Sequence, residues 1–167
     1  MDGTAKGLIS DPANTANDLF GVSMASSGRK LVVGAPGTTG SKGAAYYFKE
    51  VNGGWREKAT LTAANGEGCS TTCGQPVGLI YGDYFGDSVA LGSGVIVVGA
   101  PYASYPIPAP DSVGAGAAYV FTGSGRTWSQ NAELSDPTED AANANSPAGC
   151  NGFSNPCNCL LYTSRCV

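Results

Sequence analysis

Apolar residues in this chain come in short runs, each closed off by glycine, proline, serine or asparagine. Within residues 20–61 four such segments follow one another, at 20–25, 30–34, 44–49 and 55–61. They draw on Val, Tyr, Phe and Thr and are flanked by turn formers, a pattern that predicts β-strands. Leu31-Val32-Val33 and Val95-Ile96-Val97-Val98 are unbroken apolar runs, which predicts strands buried on both faces. The fourth segment, from Trp55 to Leu61, is more polar, as suits an outer edge strand. Helical periodicity is absent.

The same series occurs twice. Residues 20–36 read FGVSMASSGRKLVVGAP and residues 85–101 read FGDSVALGSGVIVVGAP, an offset of 65. GAAYYF at 43–48 then matches GAAYVF at 116–121, and Trp55 and Leu61 match Trp128 and Leu134, now at an offset of 73. The second copy therefore carries eight extra residues (73 − 65) between its second and third strands. Partial copies flank the pair, since Leu8-Ile9-Ser10-Asp11-Pro12 mirrors Leu134-Ser135-Asp136-Pro137.

Four short antiparallel strands per repeat, with repeats stacked on one another, describe the blade of a β-propeller. The predicted fold class is all-β: two four-stranded antiparallel blades with partial flanking repeats, an incomplete propeller. A repeating β-sandwich is the competing architecture, but sandwich strands do not normally recur in sequence every four strands. Residues 1–17 are the end of a preceding blade and its connection, 18–63 the first blade, and 64–82 a cysteine-containing connection. Residues 83–136 form the second blade, 137–157 lead in to a following repeat, and 158–167 break the pattern and read as a non-native tail. Closed propellers use about four to eight blades. The expectation is thus an open arc with exposed flanks, to be completed by further blades of a parent protein. Gly-Ala-Pro and Gly-Ala-Ala supply small residues where neighbouring sheets approach closely.

Composition narrows the function. Gly reaches 25 and Pro 10 while only 13% of residues are charged, which agrees with short strands and many turns. The net charge is −4 and no basic cluster exists, so nucleic acid is not an expected partner. No apolar stretch approaches the roughly 20 residues of a membrane span. The sequence contains no histidine, so neither a Ser-His-Asp nor a Cys-His catalytic pair can be assembled from it. A glycosidase-like carboxylate pair needs only two acids, but nothing singles one out. Gly114-Ala115-Gly116 opens a strand rather than a helix and is not a phosphate loop. A noncatalytic chain without a cofactor is expected.

Phe20-Gly21 through Gly34-Ala35-Pro36, and Phe85-Gly86 through Gly99-Ala100-Pro101, resemble the FG-GAP repeat of integrin α propellers and of secreted microbial and algal proteins. The resemblance spans about residues 5–140. It implies an extracellular or cell-surface module used for recognition or adhesion. Members often hold Ca²⁺ in an acidic loop between the first two strands. Here those loops are Ser26-Ser27-Gly28-Arg29 and Gly92-Ser93-Gly94, without a carboxylate, so calcium is not expected there. Asp83 with Asp87, and Asp136 with Glu139 and Asp140, read as solvated turn and capping residues.

In an up-and-down blade the 1–2 and 3–4 turns lie at one end and the 2–3 loops and blade connections at the other. All the long segments, 64–84, 102–115 and 137–152, belong to the second end. Recognition is expected there, on loops held by a rigid scaffold. Tyr102, Tyr105 and Asp111 lie in a loop stiffened by three prolines, with Tyr81 and Tyr84 on the neighbouring connection. These five are the candidate contacts for a protein or glycan ligand. Cys69 with Cys73, and Cys150 with Cys157, are expected to form local disulfides pinning long loops, zinc being the rival reading. Two other classes stay open: an accessory module of a larger secreted hydrolase, and a structural cell-surface array.

Overall fold

The computed structural model of the 167-residue chain describes residues 8–66, 68, 82–103 and 116–135. Among these, eight strands form two separate sheets of four. The first holds β1 (Met24–Ser27), β2 (Lys30–Ala35), β3 (Ala44–Val51) and β4 (Gly54–Leu61). The second holds β5 (Ser88–Leu91), β6 (Val95–Ala100), β7 (Ala117–Ser124) and β8 (Thr127–Ser135). In each, consecutive strands pair antiparallel in sequence order. Strands of one repeat never interleave with those of the other, which rejects the sandwich and makes each repeat a blade. Even the irregularities repeat: the third–fourth strand pairing shifts register at Tyr47/Phe48 and again at the equivalent Val120/Phe121.

The first strand starts later than its sequence suggests. Phe20 and Gly21 precede β1 in a tight turn, closed by the Val22 N–H donating to the Leu19 carbonyl at 3.1 Å. Leu19 and Gly21 both take positive φ, 60° and 94°, which an extended strand does not allow. Blade 2 repeats the turn, with the Asp87 N–H on the Tyr84 carbonyl at 3.0 Å. One distorted helical turn, α1 (Thr38–Ser41), interrupts the β2–β3 loop, with Thr39 and Gly40 off helical geometry.

Two apolar layers result. Val32, Ala45, Tyr47 and Leu61 on the back of blade 1 face Phe85, Ile96, Val98, Tyr119 and Phe121 on the front of blade 2. Trp128 closes this layer edge-to-face on Tyr47, ring centroids 5.1 Å apart, although its indole N–H finds no acceptor among the described residues. The front of blade 1 has its own layer of Val33, Ala35, Ala44, Tyr46 and Phe48, covered by Ile9, Phe20, Leu31 and Trp55. Blade 1 is thus buried on both faces. Blade 2 is not: Ile96 and Val98 are buried but Val95 and Val97 only half so, and among the described residues no third sheet lies on its back. The expectation of double burial holds for β2 and fails for β6.

Backbone meets backbone at the blade junction. Phe85 bridges to Gly43, and the Ser23 hydroxyl donates to the Gly86 carbonyl at 2.7 Å. A Cβ at Gly34 would overlap that same carbonyl oxygen, and one at Gly43 would overlap Phe85. Only glycine permits this approach.

Candidate functional site at the long-loop end

Both repeats carry Asp-x-Phe-Gly, at Asp18–Gly21 and Asp83–Gly86, and the structure gives the segment one job in both. The residue after the aspartate turns left-handed, Leu19 at φ 60° and Tyr84 at φ 54°. The aspartate carbonyl accepts the N–H that follows Gly-Ala-Pro, from Gly37 on Asp18 at 2.9 Å and from Tyr102 on Asp83 at 3.3 Å. This bond ties the described end of the blade connection to the start of the β2–β3 or β6–β7 loop, so residues 83–84 lie beside residues 101–103 as 18–19 lie beside 36–38. The opposite end collects the tight turns: the Gly123 N–H donates to Gly94 and the Glu50 N–H to Arg29. Arg29 and Glu50 also form an ion pair at 3.5 Å. A shallow open depression there is lined by Arg29, Lys49, Glu50, Val51 and Asn52.

Asp18 and Asp83 are buried, only 5% and 4% exposed, so the reading of Asp83 as a solvated turn residue is corrected, while Asp87 is exposed. One Asp18 carboxylate oxygen accepts the Phe20 N–H at 3.3 Å; the other is buried and meets no hydrogen-bond donor among the described residues. Burial and the neighbouring Asp11 carboxyl raise the Asp18 pKa. Burial also pushes Asp11 upward, but hydrogen bonds with Asp18 and with the Ala13 and Thr15 N–H groups (2.9 and 3.0 Å) outweigh it and hold Asp11 low. The two carboxyls are thus driven apart, Asp18 upward and Asp11 downward, as expected of acids that face each other. The sequence signal for these acids is their identical place, two residues before Phe-Gly in both repeats.

Burial likewise raises the hydroxyl of Tyr119, helped by Glu133, to which it donates at 3.5 Å. Glu133 also accepts the Asn65 amide at 3.1 and 3.0 Å, and Gln130 accepts the Ala64 N–H at 3.0 Å. These bonds stitch the connection leaving β4 onto the outer strand of blade 2.

Of the five candidate ligand contacts, two are placed. Tyr84 and Tyr102 meet edge-to-face with centroids 5.3 Å apart. Tyr102 is 47% exposed and Tyr84 half-buried, with the Tyr84 N–H donating to Ser41 on the α1 turn at 2.9 Å. The equivalent residues of blade 1, at the offset of 65, are Leu19 and Gly37, so this backbone does not require an aromatic pair. Tyr81, Tyr105 and Asp111 lie outside the described residues, as do Cys69, Cys73, Cys150 and Cys157. Among the described residues no group of three or more His, Cys, Asp or Glu is placed to hold a metal, and no helix is long and apolar enough to cross a membrane.

Comparison with known families finds one described as the FG-GAP repeat, whose model matches residues 9–48 and again 81–121. Each match runs from the connection through the Phe-Gly turn to the third strand of one blade. No curated protein matches the chain.

Proposed function

Because this chain is an FG-GAP repeat protein, its two blades belonging to a β-propeller module, we propose that it serves noncatalytic recognition at an extracellular or cell surface. The ligand is a protein or glycan, met at the long-loop end. FG-GAP repeat domains are generally noncatalytic and typical of extracellular or surface proteins, which supports both halves of the reading. The observation that carries it is the Tyr84–Tyr102 pair. It is partly exposed, it is fixed by hydrogen bonds from both residues' N–H groups, and it is absent from the equivalent place in blade 1. A fold held by the Phe-Gly turn alone needs neither ring, and exposed tyrosines favour contact with ligands of mixed polarity.

The rest of the described surface offers little else. The depression at the tight-turn end is open and shallow, and its charged rim already satisfies itself through Arg29 and Glu50. Further blades of the same kind complete the module. The test is a protein and glycan array probed with the wild-type chain and with Tyr102→Ala and Tyr84→Ala. A specific ligand should emerge and lose at least about tenfold in affinity, about 1.4 kcal/mol, in the Tyr102→Ala chain with its strands intact by circular dichroism. Undiminished binding by both variants would remove the tyrosines from the site.

A further inference from the structure

Among the described residues the dipeptide Asn-Gly occurs at 52–53 and at 65–66, and the fold treats the two places in opposite ways. Asn52 and Gly53 are the central residues of the β3–β4 hairpin, with φ 53° and 78°. Positive φ at both positions is the type I′ turn that favours this dipeptide. Both residues are exposed, and a Cβ at Gly53 would meet nothing within 4 Å. Among the described residues neither the Asn52 side-chain amide nor the Gly53 N–H makes a hydrogen bond. Asn65 is held on both counts. Its amide donates to the two Glu133 carboxylate oxygens at 3.1 and 3.0 Å, and the Gly66 N–H donates to the Ala63 carbonyl at 3.3 Å.

We propose that Asn52 is a site of self-modification, where the folded chain loses the side-chain amide and acquires an aspartyl or isoaspartyl linkage, while Asn65 is shielded by its bonds to blade 2. The Gly53 nitrogen gives its proton to hydroxide and bonds to the Asn52 Cγ. The Cγ–N bond of the amide breaks, and that nitrogen leaves as ammonia after taking a proton from water. Water then opens the cyclic imide. Attack at Cγ restores the main chain with an aspartyl side chain. Attack at the Asn52 carbonyl carbon instead routes the main chain through Cβ, which is the isoaspartyl form. Glycine is the follower that permits this, because no Cβ stands beside the attacking nitrogen.

Ring closure needs the turn to open, and the hairpin tip is where opening costs least. Behind it only the Val51–Gly54 pairing has to yield before the ladder proper begins at Glu50 and Trp55. At Asn65 the same motion has to break both contacts with Glu133 and the Gly66 bond. The new carboxylate arises in the depression lined by Arg29 and Lys49, two cations that favour it, and takes the net charge from −4 to −5. The isoaspartyl form also adds one atom to a two-residue turn, so the register of Val51 with Gly54 is lost in it.

The test is to incubate the folded chain at mildly alkaline pH and body temperature and then digest it with a glutamate-specific protease. That enzyme releases residues 51–57 and 58–67, each carrying one Asn-Gly. Peptide 51–57 should show the mass gain of an amide turned to an acid and separate into two forms, one of them a substrate for isoaspartyl methyltransferase. Its conversion should run at least about tenfold ahead of that in 58–67, the factor supplied by a hydrogen bond to a charged group. In urea, where neither turn exists, the two rates should converge. Glu133→Ala, with its strands intact by circular dichroism, should speed conversion at Asn65 and leave Asn52 unchanged. An unmodified Asn52, equal rates in the folded chain, a ratio that persists in urea, or an Asn65 still slow in Glu133→Ala would overturn the inference.

Discussion

Gly34 and Gly86 face each other across the blade junction with no room for a methyl group, because a Cβ at Gly34 would run into the Gly86 carbonyl oxygen and the Ser23 hydroxyl that binds it. Gly34→Ala should therefore cost about 1–3 kcal/mol in urea unfolding, the range for overpacking against an unyielding wall. Gly54→Ala, where the added Cβ meets only the Val51 carbonyl at 3.9 Å, should change stability by less than about 0.5 kcal/mol. The Asp11–Asp18 pair makes a second prediction at this scale. Asp18 has a pKa raised above the ordinary 3.8, so the stability it contributes is present at low pH and lost as pH rises through its raised value. Asp11 is held below 3.8, so its contribution is present above that value and lost as pH falls through its lowered one. The second carboxylate oxygen of Asp18 is buried and meets no donor among the described residues. Asp18→Asn keeps an acceptor for the Phe20 N–H and gives Asp11 a donor without a charge. It should stabilise the chain at pH 7 by about 1 kcal/mol and flatten the decline in stability between the acid optimum and neutrality, as read by thermal melts across pH. A variant less stable than wild type at pH 7 would contradict this account of the pair.

Strands at equivalent places in the two repeats make unequal contributions, and the difference follows from what lies on each face. Tyr47 on β3 is buried between the blades, whereas Val120 at the same place on β7 looks out from the back of blade 2. Tyr47→Ala should cost about 3–5 kcal/mol, as for other large core aromatics, and the half-buried Val120→Ala about 1 kcal/mol or less. Strand identity and order were legible in the sequence, because Leu31–Val33 and Trp55–Leu61 announce themselves by apolar runs and by recurrence. Where β1 begins was not. Phe20-Gly21 reads as strand by composition, but Gly21 and Leu19 spend their positive φ on a turn that presents Phe20 to Tyr46 and Phe48, at 5.8 and 6.2 Å between ring centroids. Burial was legible only in part, since the apolar run 95–98 looks the same whether or not a neighbour covers its far side. The candidate site was half legible. Tyr84 and Tyr102 sit in segments distant in sequence, and what joins them is the Tyr102 N–H on the Asp83 carbonyl, a backbone bond that no pattern of side chains announces.

For the molecule as a whole, the matched repeats dictate a scaffold with two unlike ends. Tight turns gather at one, where Arg29 and Glu50 close on each other, and the Asp-x-Phe-Gly turns lie at the other, where the paired tyrosines stand. The arrangement depends on one geometric statement: blade 2 lies against blade 1 as a separate neighbouring sheet, its Phe85-Gly86 turn pressed into the glycine notch at Gly34 and Gly43. Isotope-edited nuclear Overhauser spectroscopy on the full chain addresses that statement without reference to any ligand. Cross-peaks from the Phe85 ring to Ala45, and from the Tyr47 ring to Trp128, together with no amide contacts between β4 and β5, are the result predicted. Sequential pairing of β4 with β5 in one continuous sheet, or silence between Phe85 and Ala45 in a folded chain, would contradict it.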